Sequence, residues 1–144
     1  MFIVNVEGAV HKDGQWLMIT RSLKEENAGG TLSFVGGKVD KEGDTLDILE
    51  RTVKRELYEE VGVKVKENVT YVYSSSFVTD DGRPVINMVF LCEYDQGTPY
   101  CKSPDEVDSV QWMTLAEIMN HPQAPPWTKE SVQRVEEARS KLNK

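Results

Sequence analysis

The chain has 144 residues, 39% of them apolar and 28% charged, with a formal net charge of -7. That length can bury a core without covalent staples, so one domain over residues 1–144 is expected. The acidic balance excludes a general nucleic-acid binder, which needs a basic face, but not a small phosphorylated ligand, because a bound cation supplies local positive charge whatever the sum.

Cys92 and Cys101 form no C-x-x-C pair. Neither a disulfide framework nor a zinc site is expected, and a reducing, cytoplasmic setting fits. The opening MFIVNVEGAV has no basic n-region and meets Glu7 early, unlike a secretory leader. No apolar run approaches the roughly 18 residues of a membrane span, so no membrane partner is expected.

In chain order, residues 2–10 and 15–20 read as two strands around His11-Lys12-Asp13-Gly14, with Asp-Gly as the hairpin signal. LKEENAGG (23–30) reads as a loop, TLSFV (31–35) as a short strand, and GGKVDKEGDT (36–45) as a second loop. From Asp47 to Val61 the pattern turns helical: Leu49, Val53, Leu57 and Val61 recur every four residues, and Asp47 with Glu50 resembles a capping box. Strands resume at about 69–78 and 85–94 around the turn DDGRP, and residues 95–106 read as a loop. VDSVQWM (107–113) reads as a strand, Thr114 and Glu117 cap a short helix, and a last helix runs from about Thr128 to Leu142. Strands before and after one central helix predict an α/β or α+β domain, a mixed sheet packed by helices. His11 and His121 read as exposed turn residues, and Tyr71 and Tyr73 as strand residues that pack on or cover the sheet.

The central helix contains RELYEEVGV, residues 55–63. Like charges at i, i+4 destabilise a helix by a few tenths of a kcal/mol. At about 100° per residue, Glu56 and Glu60 fall within about 20° of Leu49 on either side, and Glu59 lies just beyond. These carboxylates share the edge of the apolar stripe, where a carboxylate is costly unless paired or metal-bound. Converging, they make a hard oxygen cage suited to Mg²⁺ or Mn²⁺. The competing reading is a solvated acidic face on which Arg55 pairs with Glu59. Gly36-Gly37 just upstream favours the cage, since glycines let backbone carbonyls approach an ion or ligand closely.

The run resembles the signature of the Nudix hydrolases: G, five residues, E, seven residues, then R-E-U-x-E-E-x-G-U, with U bulky and aliphatic. Arg55, Glu56, Leu57, Tyr58, Glu59, Glu60, Val61, Gly62 and Val63 match its second half position for position. The first half departs. Asp47 stands where the family has Glu, and nine residues rather than five separate it from Gly37, which reads as a four-residue insertion within KVDKEGDTL. Phe34-Val35-Gly36-Gly37 replaces the usual Phe-Pro-Gly-Gly.

The resemblance implies the Nudix fold, a mixed β-sheet sandwiched between helices. It also implies a reaction: Mg²⁺-dependent (or Mn²⁺-dependent) hydrolysis of a diphosphate bond in a nucleoside diphosphate linked to another moiety, with a nucleoside triphosphate as the default substrate. ADP-ribose, a nucleotide sugar or a dinucleoside polyphosphate is the alternative, as is a non-catalytic nucleotide-sensing module. By the same resemblance, Glu56 and Glu60 are the principal metal ligands, Glu59 a ligand or outer-shell group, and the Gly37 carbonyl a further ligand. Arg55 orients a glutamate, and Glu106, six residues before Trp112, is the candidate base or accessory ligand, with Asp105 and Asp108 as competitors for that place. Glu59 and Glu60 remain alternatives for the base. Arg21, Phe34 and Trp127 are the candidate substrate-binding residues, and a homodimer stays open.

Overall fold

The computed structural model describes residues 1–25 and 27–142. The chain begins with β1 (Ile3–Lys12) and β2 (Gln15–Arg21), joined at Asp13-Gly14, both with positive φ. Next come β3 (Leu32–Ser33), β4 (Val35–Lys38) and α1 (Ile48–Val61). They are followed by β5 (Lys64–Val65), β6 (Thr70–Val78), β7 (Pro84–Gln96) and β8 (Val107–Met113). Two helices close the fold, α2 (Leu115–Met119) and α3 (Pro126–Leu142).

The eight strands form one mixed sheet. β1 lies at its centre, parallel to β7 and antiparallel to β4, and meets β2 only at the hairpin. β7 also pairs with β5 and β6, and β2 with β3 and β8. Val6, Val10, Leu17 and Ile19 face α1 and bury Val53, Leu57 and Val61 against them. Ala9, Trp16, Met18, Phe34, Val89 and Leu91 face the other way, onto Val132 and Val135 of α3 and Ile118 of α2. The expected mixed sheet between helices is therefore the observed architecture.

The structure departs from the expected local pattern at three places. Gly36, Gly37 and Lys38 are not loop: they continue β4, paired with Glu7, Val6 and Asn5 of β1; ladder hydrogen bonds to a central strand override poor β propensity. Asp47 makes no side-chain capping bond and sits in the left-handed region, φ 57°, so the capping box expected there is absent. The box expected at Thr114 and Glu117 is present, with both reciprocal hydrogen bonds. His11 is not exposed: it is a buried β1 residue, its ring edge-on to Trp16, its Nε2 accepting from Gly14 N–H at 3.1 Å. Among the described residues no helix is long and apolar enough to cross a membrane.

Candidate active site

The apolar stripe of α1 decides where its carboxylates go. Burying Val53, Leu57 and Val61 on the sheet turns Glu56 and Glu60 inward beside them. Glu60 is only 4% exposed. The loop between β7 and β8 brings Glu106 against the pair, fixed where Glu106 C=O accepts from Ser22 N–H at 2.9 Å. Glu56, Glu60 and Glu106 thus offer carboxylate oxygens that all lie within 4.8 Å of one another. Asp105, a competitor for that place, instead pairs with Lys24 at 3.0 Å. Glu59 stays outside the trio, exposed, with an oxygen 4.0 Å from Arg55.

The cluster is unfinished electrostatically. Among the described residues, the buried Glu60 Oε2 has no hydrogen-bond partner. Burial foremost, then the neighbouring Glu56 and Glu106, push the Glu60 carboxyl up to about 10. A buried acceptor left unpaired costs free energy, and like charges at this range add to it. A divalent cation removes both penalties.

Two further residues shape the cage. A Cβ on Gly37 would lie 2.6 Å from both Glu56 carboxyl oxygens, so that carboxylate packs directly on the bare backbone of β4. Arg55 donates to Glu56 Oε1 at 3.1 Å and to the Lys38 carbonyl at 3.3 Å. It is flanked by Asp40 at 3.4 Å and Glu42 at 3.8 Å. Both belong to the lengthened loop, and Glu42 also takes Arg51 at 3.3 Å. The loop therefore braces the helix arginines. Asp47, exposed at the helix start, does not join the trio.

On the α3 face lies a cavity of about 800 Å³. Arg21, Phe34 and Trp127 all line it, as do Asn5, Glu7, Lys38 and Asn87. The acidic trio does not line it: β4 separates the two, with Gly37 toward Glu56 and Gly36 toward Glu7. Lys38 joins them: it lines the cavity, and its carbonyl accepts from Arg55. Arg21 is held by the Asn27 carbonyl at 3.1 Å and by Glu25 at 3.3 Å. Asn5, Glu7 and Asn87 are not singled out by the sequence pattern above. A signal for two of them is there: Asn5 and Glu7 are polar residues at alternate positions of a strand otherwise apolar, Ile3 to Val10.

Carboxylates from α1 and from the β7–β8 loop behind a mixed sheet, with a cavity in front of it, set the class. The family profile described as NUDIX domain matches residues 3–135. The chain belongs to the Nudix family. It is similar to the NAD-capped RNA hydrolase NudC of Deinococcus radiodurans, 36% identical over 80 residues, which are 56% of this chain and only 26% of that protein. The chain thus matches about a quarter of that relative's length. Its fold is similar to the crystal structure of a MutT Nudix hydrolase from Burkholderia pseudomallei, TM-score 0.78 at 27% identity, covering 94% of this chain and 98% of that one. It is also similar to the Nudix domain of Shewanella oneidensis NrtR crystallised with ADP ribose, TM-score 0.73 at 20% identity, covering 99% and 89%.

Proposed function

We propose that the chain is a pyrophosphohydrolase, dependent on Mg²⁺ or Mn²⁺, that cleaves a diphosphate bond in a nucleotide, with a nucleoside triphosphate as substrate. The observation that carries this reading is the buried, unpaired Glu60 oxygen within a trio of converging carboxylates. Hard oxygen ligands of this kind suit Mg²⁺ or Mn²⁺ better than softer ions.

Glu56, Glu60 and Glu106 are the residues that would hold the ion, with the Gly37 carbonyl as a further ligand and Glu59 as an outer-shell group. A cation held there would supply charge that neutralises diphosphate oxygens and acidifies a water. The protein's own groups do the rest. Arg55 fixes Glu56 through a charge-assisted hydrogen bond, so that carboxylate keeps one orientation. Glu106, the exposed member of the trio, is placed to accept a proton from a water entering from solvent. Arg21 and Lys38 place positive charge on the cavity wall. Trp127, 62% exposed at the start of α3, presents an indole face on which a base can stack. Phe34 closes the cavity's apolar side.

A dinucleotide or ADP-ribose-like substrate is the second reading. The NudC relative and the ADP-ribose complex of the NrtR domain favour it, and a cavity of about 800 Å³ accommodates more than one ring. The test is turnover with Mg²⁺ against nucleoside triphosphates, ADP-ribose, nucleotide sugars and dinucleotides. Preferred release of pyrophosphate or phosphate from a triphosphate supports the first reading. Cleavage confined to the central diphosphate of two-part substrates supports the second. Tight nucleotide binding with no turnover on any of them would make the chain a sensor.

A further inference from the structure

The sheet face that α3 leaves bare carries polar side chains, Asn87 buried and Asn5 and Glu7 half-buried, that the fold itself does not require. Beneath α3 the β1 and β7 residues on this face are apolar: Ala9, Val89 and Leu91. Two residues toward the start of each strand the same face turns polar, at Glu7, Asn5 and Asn87, the last two being register partners. Asn5 Nδ2 donates to Asn87 Oδ1 at 2.8 Å, and Asn87 Nδ2 donates to Glu7 Oε1 at 2.6 Å. Burial pushes the Glu7 carboxyl up, against the Asn87 hydrogen bond and the nearby Arg21 charge. Apolar side chains of similar size would fold here at lower cost. Room for the row also depends on Gly36, where a Cβ would come within 2.9 Å of Glu7 Cγ.

A donor and acceptor count shows what this floor offers a ligand. The Asn87 carbonyl is occupied by Asn5 and one of its two N–H donors by Glu7. Glu7 Oε2 receives no hydrogen bond from the described residues, and Oε1 keeps a second lone pair. Asn5 Oδ1 is likewise unused. The unspent capacity is mostly acceptor. A matching ligand edge therefore carries adjacent donors, and Trp127 at the cavity wall adds a flat apolar surface.

We propose that Glu7, held by Asn87 and Asn5, is the specificity-determining group of this cavity and selects a nucleobase whose edge bears a ring N–H beside an amino group, as guanine does. This rests on the nucleotide reading above. Two N–H donors brought to Glu7 favour its ionised form over the neutral one that burial favours, and the carboxylate accepts both in parallel from such an edge. Hypoxanthine lacks the amino group, and adenine offers an acceptor where guanine has the ring N–H, so each loses one charge-assisted bond.

The test is calorimetric titration of the full chain with GMP, IMP and AMP in EDTA, where neither a cation nor turnover is involved. GMP is expected to bind about 10-fold tighter than IMP or AMP. Glu7→Gln should bring the three within about threefold of one another, because an amide offers one acceptor and one donor. Trp127→Ala should weaken all three alike. Should Glu7→Gln fail to fold, as read by circular dichroism, Asn87→Ser removes the N–H that fixes Oε1 and should narrow the same ratio. Equal binding of GMP and IMP by the wild type, or an undiminished gap in a folded Glu7 or Asn87 variant, overturns the proposal. Either result leaves the hydrolytic reading standing, and a failure of hydrolysis leaves this one standing.

Discussion

The two polar clusters that flank β4 are built from similar side chains and differ in how far their own hydrogen bonds complete them. On the α3 face, Asn5, Asn87 and Glu7 form a connected row in which each contact is a donor meeting an acceptor. On the α1 face, Glu56, Glu60 and Glu106 bring together acceptors and like charges, and one buried oxygen is left unpaired. The first cluster can wait for a neutral edge. The second calls for a cation. Gly36 and Gly37, adjacent in sequence and facing opposite ways, let each cluster approach the same thin strand.

The comparison breaks most sharply at the carboxylates. Glu60→Gln or Glu56→Gln should lower turnover about 10³-fold or more while circular dichroism stays native, because each removes charge from the cage without removing volume. Near-native activity in either variant would remove the trio from the mechanism. Gly37→Ala comes next. Its Cβ meets the Glu56 carboxyl oxygens at 2.6 Å, so that carboxylate must move. Mn²⁺ affinity, read by titration, should fall more than about tenfold, while nucleotide binding in EDTA is retained.

A third prediction concerns pH. Glu60 in the cation-free protein is raised from 4.5 to about 10, so the folded state holds a proton that the unfolded chain releases. That contribution is fully present below about pH 4.5 and is lost as pH rises through about 10. In EDTA, the urea midpoint should therefore fall as pH is raised across that window, and saturating Mg²⁺ should flatten the dependence. A cation-free midpoint that climbs through the same window would contradict the frustrated cage. The smallest effect is expected at Asp47→Asn. Its side chain makes no capping bond, and Asn tolerates the left-handed backbone at least as well. Stability should change by less than about 0.5 kcal/mol and turnover not at all.

Much of the fold and half of the site are legible in the sequence because they follow from short-range periodicity. The α1 stripe of Val53, Leu57 and Val61 fixes which way Glu56 and Glu60 point, and the helical wheel places them before any fold is known. Thr114 and Glu117 form their capping box within one turn. The features that escape local reasoning require tertiary partners. Gly36 and Gly37 look like loop until β1 supplies a ladder, and Asp47 looks like a cap until the lengthened loop delivers the chain in a left-handed turn. His11 looks solvent-facing beside the Asp13-Gly14 turn, yet Trp16 and Glu136 bury that end of the sheet, the Trp16 N–H donating to Glu136 at 2.7 Å. The Asn5–Asn87 pair joins residues 82 positions apart, beyond the reach of any local pattern. Glu106 is reachable only through the family resemblance, because nothing near it in sequence announces a partner on α1.

The most direct measurement is anomalous diffraction from crystals of the protein grown with Mn²⁺ and a non-hydrolysable nucleotide. A manganese peak is predicted among the carboxylates of Glu56, Glu60 and Glu106, on the Gly37 side of β4, with the base in the cavity beside Trp127. Ordered nucleotide with those carboxylates turned apart and no manganese between them would contradict the carboxylate cage as the seat of the reaction.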